Sequence, residues 1–215
     1  MSLKKRALLI LERLISTYPD AAIELDYKQD DPWQLLVVVA LSAQTTDKKV
    51  NQISPALFAR FPSVHAFAQT TQAELEPYLT SIGLYRNKAK NLIKAAHQVI
   101  ENFDGHVPKN REQLETIAGV GKKTAAVIIA NAFHQPAIAV DTHVSRISQR
   151  LALTKETHPD NIESALMALY PKHLWLQAHH TMIFHGRRIC FARSPSCSIC
   201  PVNEFCPKIG VIKSK

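Results

Sequence analysis

The sequence predicts an all-α fold, and three observations carry that prediction. Apolar residues recur at helical spacing in one segment after another, from Leu3 to Leu14, from Ala89 to Phe103 and from Val144 to Leu151. No stretch alternates apolar and polar residues as a half-exposed strand would. The one β-branched run, Leu35 to Leu41, has no second strand-like segment to pair with.

Residues 3–17 place Leu3, Ala7, Ile10, Leu11 and Leu14 on one face. Asp31-Pro32 supplies a cap and a first-turn proline for a helix through Trp33 and Leu41. Its middle, LLVVVAL, is apolar all round, which marks the central buried helix of a bundle. Ser42 to Asp47 is a polar break before the next helix. Thr71 and Glu74 form a capping box for a short helix toward Leu79. Ala89, Leu92, Ile93, Ala96, Val99, Ile100 and Phe103 give the cleanest period in the chain, and Asp104-Gly105 ends that helix with a left-handed glycine. Asn110 with Gln113 makes a second box and opens a helix over 110–117, followed by the turn Ala118-Gly119-Val120-Gly121 and a helix over 122–132. Val144, Ile147 and Leu151 share a face, and two more helices lie around 160–169 and 173–189. There is no internal repeat and no low-complexity tract.

With 215 residues and 46% hydrophobic composition, the chain has enough apolar material for one large or two small cored domains. Lysine and arginine outnumber aspartate and glutamate by 26 to 18, giving a formal charge of +8. That excess suits a polyanionic partner and serves solubility equally well. The N-terminus starts like a signal peptide, but Glu12 and Arg13 interrupt the apolar run, and Leu35 to Leu41 is far too short to span a bilayer. A soluble, cytoplasmic protein with no membrane partner is the expectation.

Only six glycines are present, and two of them flank Val120. Gly119-Val120-Gly121 permits positive φ and leaves amides uncovered, while the next helix adds its own unpaired N–H groups and the positive end of its dipole. Lys122 and Lys123 add charge, so the segment reads as an anion site. A nucleotide P-loop fails here: Lys123 stands where Ser or Thr must follow the Gly-Lys pair, and Thr116 occupies the earlier glycine position. The plain alternative is an αα turn with two solvated lysines. Asp141, taken alone, reads as a helix N-cap.

All four cysteines fall between 190 and 206, spaced Cys190-x6-Cys197-x2-Cys200-x5-Cys206. A secreted disulfide framework would distribute them more widely. Zinc usually takes two Cys-x-x-Cys knuckles, and only Cys197 and Cys200 form one. Clustered cysteines ending in Cys206-Pro207 suit an iron–sulfur cluster, with zinc or free thiols as the alternatives.

Leu114 to Ala125, LETIAGVGKKTA, resembles the helix–hairpin–helix of the endonuclease III family of DNA glycosylases, and Ile138 to His143, IAVDTH, resembles the family's aspartate segment. The cysteine spacing also matches the family's [4Fe–4S] loop. The resemblance runs from about Leu8 to Pro207. It implies two helical domains: a helical bundle over 25–135 that carries the hairpin, and a cluster domain made of 1–24 with 136–215. DNA is then expected across the mouth of a cleft, with Lys123 on one wall and Asp141 on the other. The hairpin segment Gly119, Val120, Gly121 and Lys122 would hold a backbone phosphate. Lys123 would be the nucleophile, Asp141 the catalytic carboxylate, and Cys190, Cys197, Cys200 and Cys206 the cluster ligands.

In the same resemblance, Gln44 fills the gap left by an extruded nucleotide and Leu84 wedges the opposite strand, with core packing as the alternative for Leu84. His143, Arg187 and Arg193 would add DNA contacts. The expected activity is bifunctional: excision of oxidised pyrimidines from duplex DNA through a lysine Schiff base, then β-elimination at the abasic site, by a monomer. A monofunctional or mismatch-directed glycosylase is the alternative within the superfamily, and a non-catalytic DNA-binding iron–sulfur protein is the alternative outside it. Lys123, and the absence of a glutamate between Val39 and Asp47, favour the bifunctional lyase. An amine must be neutral to attack, so Lys122, the positive helix end and partial desolvation are expected to favour that form at Lys123. The family often has proline where this chain has Ala118, a change expected to loosen the hairpin slightly.

Overall fold

The computed structural model describes residues 1–215, which form eleven α-helices and four short 3-10 turns without a strand. The helices are α1 (Leu3–Thr17), α2 (Pro32–Ser42), α3 (Asp47–Arg60), α4 (Val64–Ala68), α5 (Gln72–Leu75), α6 (Tyr85–Phe103), α7 (Arg111–Glu115), α8 (Lys122–Ala132), α9 (Thr142–Arg150), α10 (Pro159–Leu169) and α11 (Trp175–Arg188). They divide into two compact units: Glu24–Gln135, and Met1–Ile23 together with Pro136–Lys215. No helix is long and apolar enough to cross a membrane.

In the unit formed by Glu24–Gln135, α2 is the axis. Asp31 caps it by accepting from the Gln34 N–H at 3.0 Å, and Leu35, Leu36, Val37, Val38 and Leu41 are fully buried. Helices α3 and α8 pack against it. The Thr71–Glu74 box forms in both directions, but α5 lasts one turn and passes into a 3-10 turn over Glu76–Tyr78, which contains Pro77. A single short helix, α4, was not legible in advance. Its five residues are too few to show a period, yet Ser63 caps it and it buries Val64 and Phe67.

Helix α6 begins at Tyr85, four residues before the expected period, because its first turn carries charge and amide side chains rather than apolar ones. It ends on two left-handed residues, Asp104 (φ 53°) and Gly105 (φ 77°), with the Gly105 N–H donating to Val99 O at 3.0 Å. The second expected box is only half made. Asn110 accepts from the Gln113 N–H at 3.1 Å, and α7 closes after one turn, giving way to tight bonds from Ile117 N–H to Leu114 O and from Val120 N–H to Ile117 O.

The other unit is built on α1, whose Ala7, Ile10, Leu11 and Leu14 are buried against Ile147, Leu151, Ile162, Leu166 and Met182. Leu3, expected on the same face, is 43% exposed, because the helix end overhangs the core. Arg6 pins the chain that follows α9, donating to Leu151 O at 2.6 Å, Ala152 O at 2.8 Å and Phe205 O at 2.9 Å.

Helices α9 and α11 pass closely at Gly186, where a β-carbon would stand 2.6 Å from His143 Nδ1 and 3.0 Å from its Cβ. Gly186→Ala is therefore expected to destabilise the protein by about 1–3 kcal/mol despite the better helix propensity of alanine, a loss to be read in urea denaturation. An unchanged midpoint would show that the two helices can part at no cost.

Candidate functional site

The hairpin occupies the α7–α8 turn of the Glu24–Gln135 unit. Gly119 adopts φ +80°, and a β-carbon there would lie 3.3 Å from Asn91 Cβ on α6. Conformation and packing both demand glycine at that position. Gly121 differs: it is extended (φ −97°, ψ 178°), and a β-carbon would meet nothing within 4 Å. Nothing inside the chain requires glycine at 121, so its bare surface suits an external group approaching the backbone. Gly121 is the N-cap of α8, and no side-chain cap hydrogen bond covers the start of that helix. Val120 contributes less than expected: its side chain is buried, and its N–H already donates to Ile117 O.

Gln98 of α6 holds the hairpin from behind. Its Oε1 accepts from the Ala118 N–H at 2.8 Å and its Nε2 donates to Thr116 O at 3.1 Å. The Ala118 bond corrects the expectation of a looser turn, since proline at that position would have no N–H to donate.

Lys122 and Lys123 are the first two residues of α8, and both are exposed. The desolvation expected at Lys123 is therefore absent from the protein alone, and would have to come from a bound partner. The positive helix end and the neighbouring Lys122 are present as anticipated.

Gln44 and Leu84 are both exposed and both left-handed, at φ 55° and φ 58°. Leu84 is 58% exposed, so core packing does not account for it. Together with Gly119, the two line one concave surface that also includes Asn87, Lys88 and Asn91. Lys88 is buried among them, and burial holds its ammonium below the ordinary lysine range.

In the other unit, Asp141 caps α9: Oδ1 accepts from the Val144 N–H at 2.8 Å. The plain reading of Asp141 as an N-cap is thus correct, and Oδ2 of the half-buried carboxylate is left for other work. His143 follows within the same turn, where its Nδ1 lies 3.1 Å from Arg146 Nη2. Burial pushes the His143 imidazole down, opposed by Asp141 and reinforced by Arg146 and Arg187. Arg146 is half-buried and donates to Gly186 O at 3.1 Å and Cys190 O at 3.0 Å, tying α9 to the start of the cysteine loop.

The four cysteines line a single cavity with Arg150, His185 and Val202, and none forms a disulfide. No three metal-ligating side chains converge closely enough to hold one ion. Four thiols around one shared cavity suit a polynuclear cluster. Burial pushes the Cys200 thiol up to about 11 and raises Cys206 as well, so holding them as thiolates takes the positive charge of a metal centre. Donors surround the sulfurs. Arg150 Nη1 lies 3.4 Å from Cys190 Sγ, and the Lys208 N–H donates to Cys206 Sγ at 3.4 Å. His185 Nε2 stands 3.6 Å from Cys200 Sγ while its Nδ1 meets Tyr18 Oη at 2.9 Å. A thiolate only accepts, so Nε2 must carry the proton and Tyr18 must donate to Nδ1.

Arg150 also donates to Phe191 O at 2.6 Å and Ala192 O at 2.8 Å, fixing the loop backbone. Arg187, Arg188 and Arg193 are all exposed, and Arg188 pairs with Asp20 at 3.2 Å and lies over the Phe184 ring, 4.2 Å from its centroid.

Sequence reasoning missed Lys88, Gln98, Arg146, Arg150 and His185. A signal existed for two of them. Lys88 lies on the apolar stripe of α6 with Leu92, Ala95 and Val99, and Arg150 lies on that of α9 with Ile147. A charge on a buried stripe has to be bonded to something.

Residues 37–172 match the HhH-GPD superfamily base excision DNA repair proteins. Endonuclease III of Synechocystis is 47% identical over 207 residues, covering 96% of this chain and 94% of that protein. The chain belongs to the endonuclease III family. Endonuclease III of Bacillus subtilis is 42% identical, with 91% and 89% covered, and that of Escherichia coli is 36% identical, with 94% and 95% covered. The iron–sulfur binding domain of endonuclease III matches residues 190–206, bounded by Cys190 and Cys206, and the cofactor of this family member is a [4Fe–4S] cluster.

Two solved structures, a non-covalent endonuclease III–DNA complex and a trapped endonuclease III–DNA covalent intermediate, each superpose with a TM-score of 0.92 at 41% identity, covering 97% of both chains. A thermostable thymine-DNA glycosylase at 24% identity and a TM-score of 0.84 shares the fold.

Proposed function

We propose that this protein is a bifunctional DNA glycosylase and abasic-site lyase that removes oxidised pyrimidines from duplex DNA. The observation that carries the reading is Lys123, exposed at the second position of α8, two residues past Gly121, where the hairpin leaves room for a phosphate. Relatives over nearly the whole chain are endonuclease III, and one solved relative was captured as a covalent intermediate with DNA.

The residues divide the chemistry as follows. The amides around Gly121 and the start of α8, with Lys122, anchor a backbone phosphate. Gln44 enters the gap left by the extruded nucleotide, and Leu84 wedges the opposite strand. The neutral Lys123 amine attacks C1′, the N-glycosidic electron pair leaves with the base, and Asp141 stabilises the positive charge that develops on the sugar. After the amine loses its proton and the sugar ring opens, an imine joins Lys123 to C1′. Removal of a C2′ proton then expels the 3′ phosphate by breaking the C3′–O bond, and water hydrolyses the imine to free the lysine. DNA supplies the desolvation that Lys123 lacks on its own.

Cys190, Cys197, Cys200 and Cys206 hold the cluster, whose chemistry here is to fix a loop too poor in apolar residues to fold alone. Arg193 in that loop and Arg187 in the last turn of α11 meet phosphates, with His143 as a further contact. Cys200→Ala is expected to purify without its full iron complement and to bind undamaged duplex about tenfold more weakly, as read by iron analysis and a binding titration. Full iron content in that variant would remove Cys200 from the ligand set.

The enzyme works as a monomer on genomic DNA in the cytoplasm. The deciding assay incubates it with duplexes carrying an oxidised pyrimidine, a mismatch or no lesion. Nicking of the oxidised duplex without alkali supports the lyase. Base loss that needs alkali to reveal it supports a monofunctional glycosylase, and binding with no base loss supports a non-catalytic role.

A further inference from the structure

Gln44 and Leu84 are held in left-handed backbone without being glycine, a conformation that the surrounding structure must hold in place. One residue touches the support of both. Lys88 Nζ donates to Leu41 O at 2.9 Å and to Thr45 Oγ1 at 2.8 Å, the two positions that bracket Gln44. The Lys88 backbone N–H donates to Leu84 O at 3.0 Å. Leu41 lies in the last turn of α2, where carbonyls have no helical N–H to accept from and the dipole favours a cation.

A buried ammonium is costly, and methionine, similar in length and apolar, would fill the same space at the base of α6 without that cost. The charge therefore does something that packing does not require. We propose that Lys88 is a positioning residue for the duplex-opening step. Its side chain fixes the loop carrying Gln44 while its backbone fixes Leu84, so that the two enter the helix at a set separation. The proposal rests on the reading of Gln44 and Leu84 given above.

The test compares two substrates. One is a duplex with an oxidised pyrimidine, which must be opened. The other is a single-stranded abasic oligonucleotide, which has no stack to fill and no opposite strand to wedge. Single-turnover rates at saturating enzyme are measured for wild type, Lys88→Met and Thr45→Val, with borohydride trapping on the single strand.

In Lys88→Met the duplex rate should fall about tenfold more than the single-strand rate, and in Thr45→Val, which deletes one acceptor and leaves the Leu41 bond, about threefold more. Because saturation removes the binding step, the loss appears in the rate constant itself. Should Lys88→Met fail to fold, Thr45→Val alone decides the matter by the same ratio. A wild type active on both substrates, with a ratio that does not move in the variants, overturns the Lys88 proposal and leaves the enzyme reading standing. A wild type that traps neither substrate overturns the enzyme reading, and the positioning role with it.

Discussion

Lys123→Ala is expected to abolish strand incision, lowering the single-turnover rate at least about 10³-fold, because it removes the amine assigned to form the imine. Stability should hardly change. The side chain is exposed, the position lies in the first turn of α8, and alanine is a good helix former. Binding to undamaged duplex should weaken only modestly, since Lys122 and the helix amides remain. Loss of incision with binding and folding retained separates a nucleophile from a phosphate contact. A variant that still incises within about tenfold of wild type would mean that the reacting amine lies elsewhere.

Asp141→Asn has the second largest expected effect, and the structure makes it a clean substitution. Asp141 caps α9 through Oδ1, and asparagine caps a helix about as well as aspartate. The variant thus keeps the cap and removes only the charge. Base excision should slow by about 10²–10³-fold, the range seen when a group that stabilises developing charge is lost, while the unfolding midpoint stays in place. Asp141→Ala would mix in about 1 kcal/mol of lost capping and so confound the two roles. Equal losses of excision and of DNA affinity in Asp141→Asn would assign the carboxylate to binding rather than to catalysis.

Much of this was legible in the sequence because it is written in local rules. Asp31-Pro32 and the Thr71–Glu74 pair are capping signals, and both caps form. Every residue from Leu35 to Leu41 except Ala40 is buried, as expected of an all-apolar helix at the centre of a bundle. What stayed hidden are bonds between residues distant in sequence. Gln98 serves Thr116 and Ala118, and Arg150 serves Phe191 and Ala192, through backbone carbonyls and amides that carry no sequence signature.

The two hairpin glycines show the same divide. Both look alike as letters, yet Gly119 answers to Asn91 and its own φ, while Gly121 answers to nothing within the chain. Backbone angle and neighbouring atoms, which the letters do not carry, separate an internal requirement from an external one. Lys123 makes the converse point. Its identity was readable from the motif, but its exposure was not, and under the proposed mechanism that exposure leaves desolvation of the amine to the bound DNA.

The central claim is that one amine, on Lys123, becomes bonded to the sugar of the excised nucleotide. It is tested most directly by trapping the wild-type protein with borohydride on a duplex containing an oxidised pyrimidine, digesting the adduct and locating the modified residue by mass spectrometry. A deoxyribose-linked fragment on the peptide containing Lys123, at that side chain and not at Lys122, is the expected result. An adduct confined to Lys122, to the N-terminal amine or to any other lysine, or no adduct at all, would contradict it.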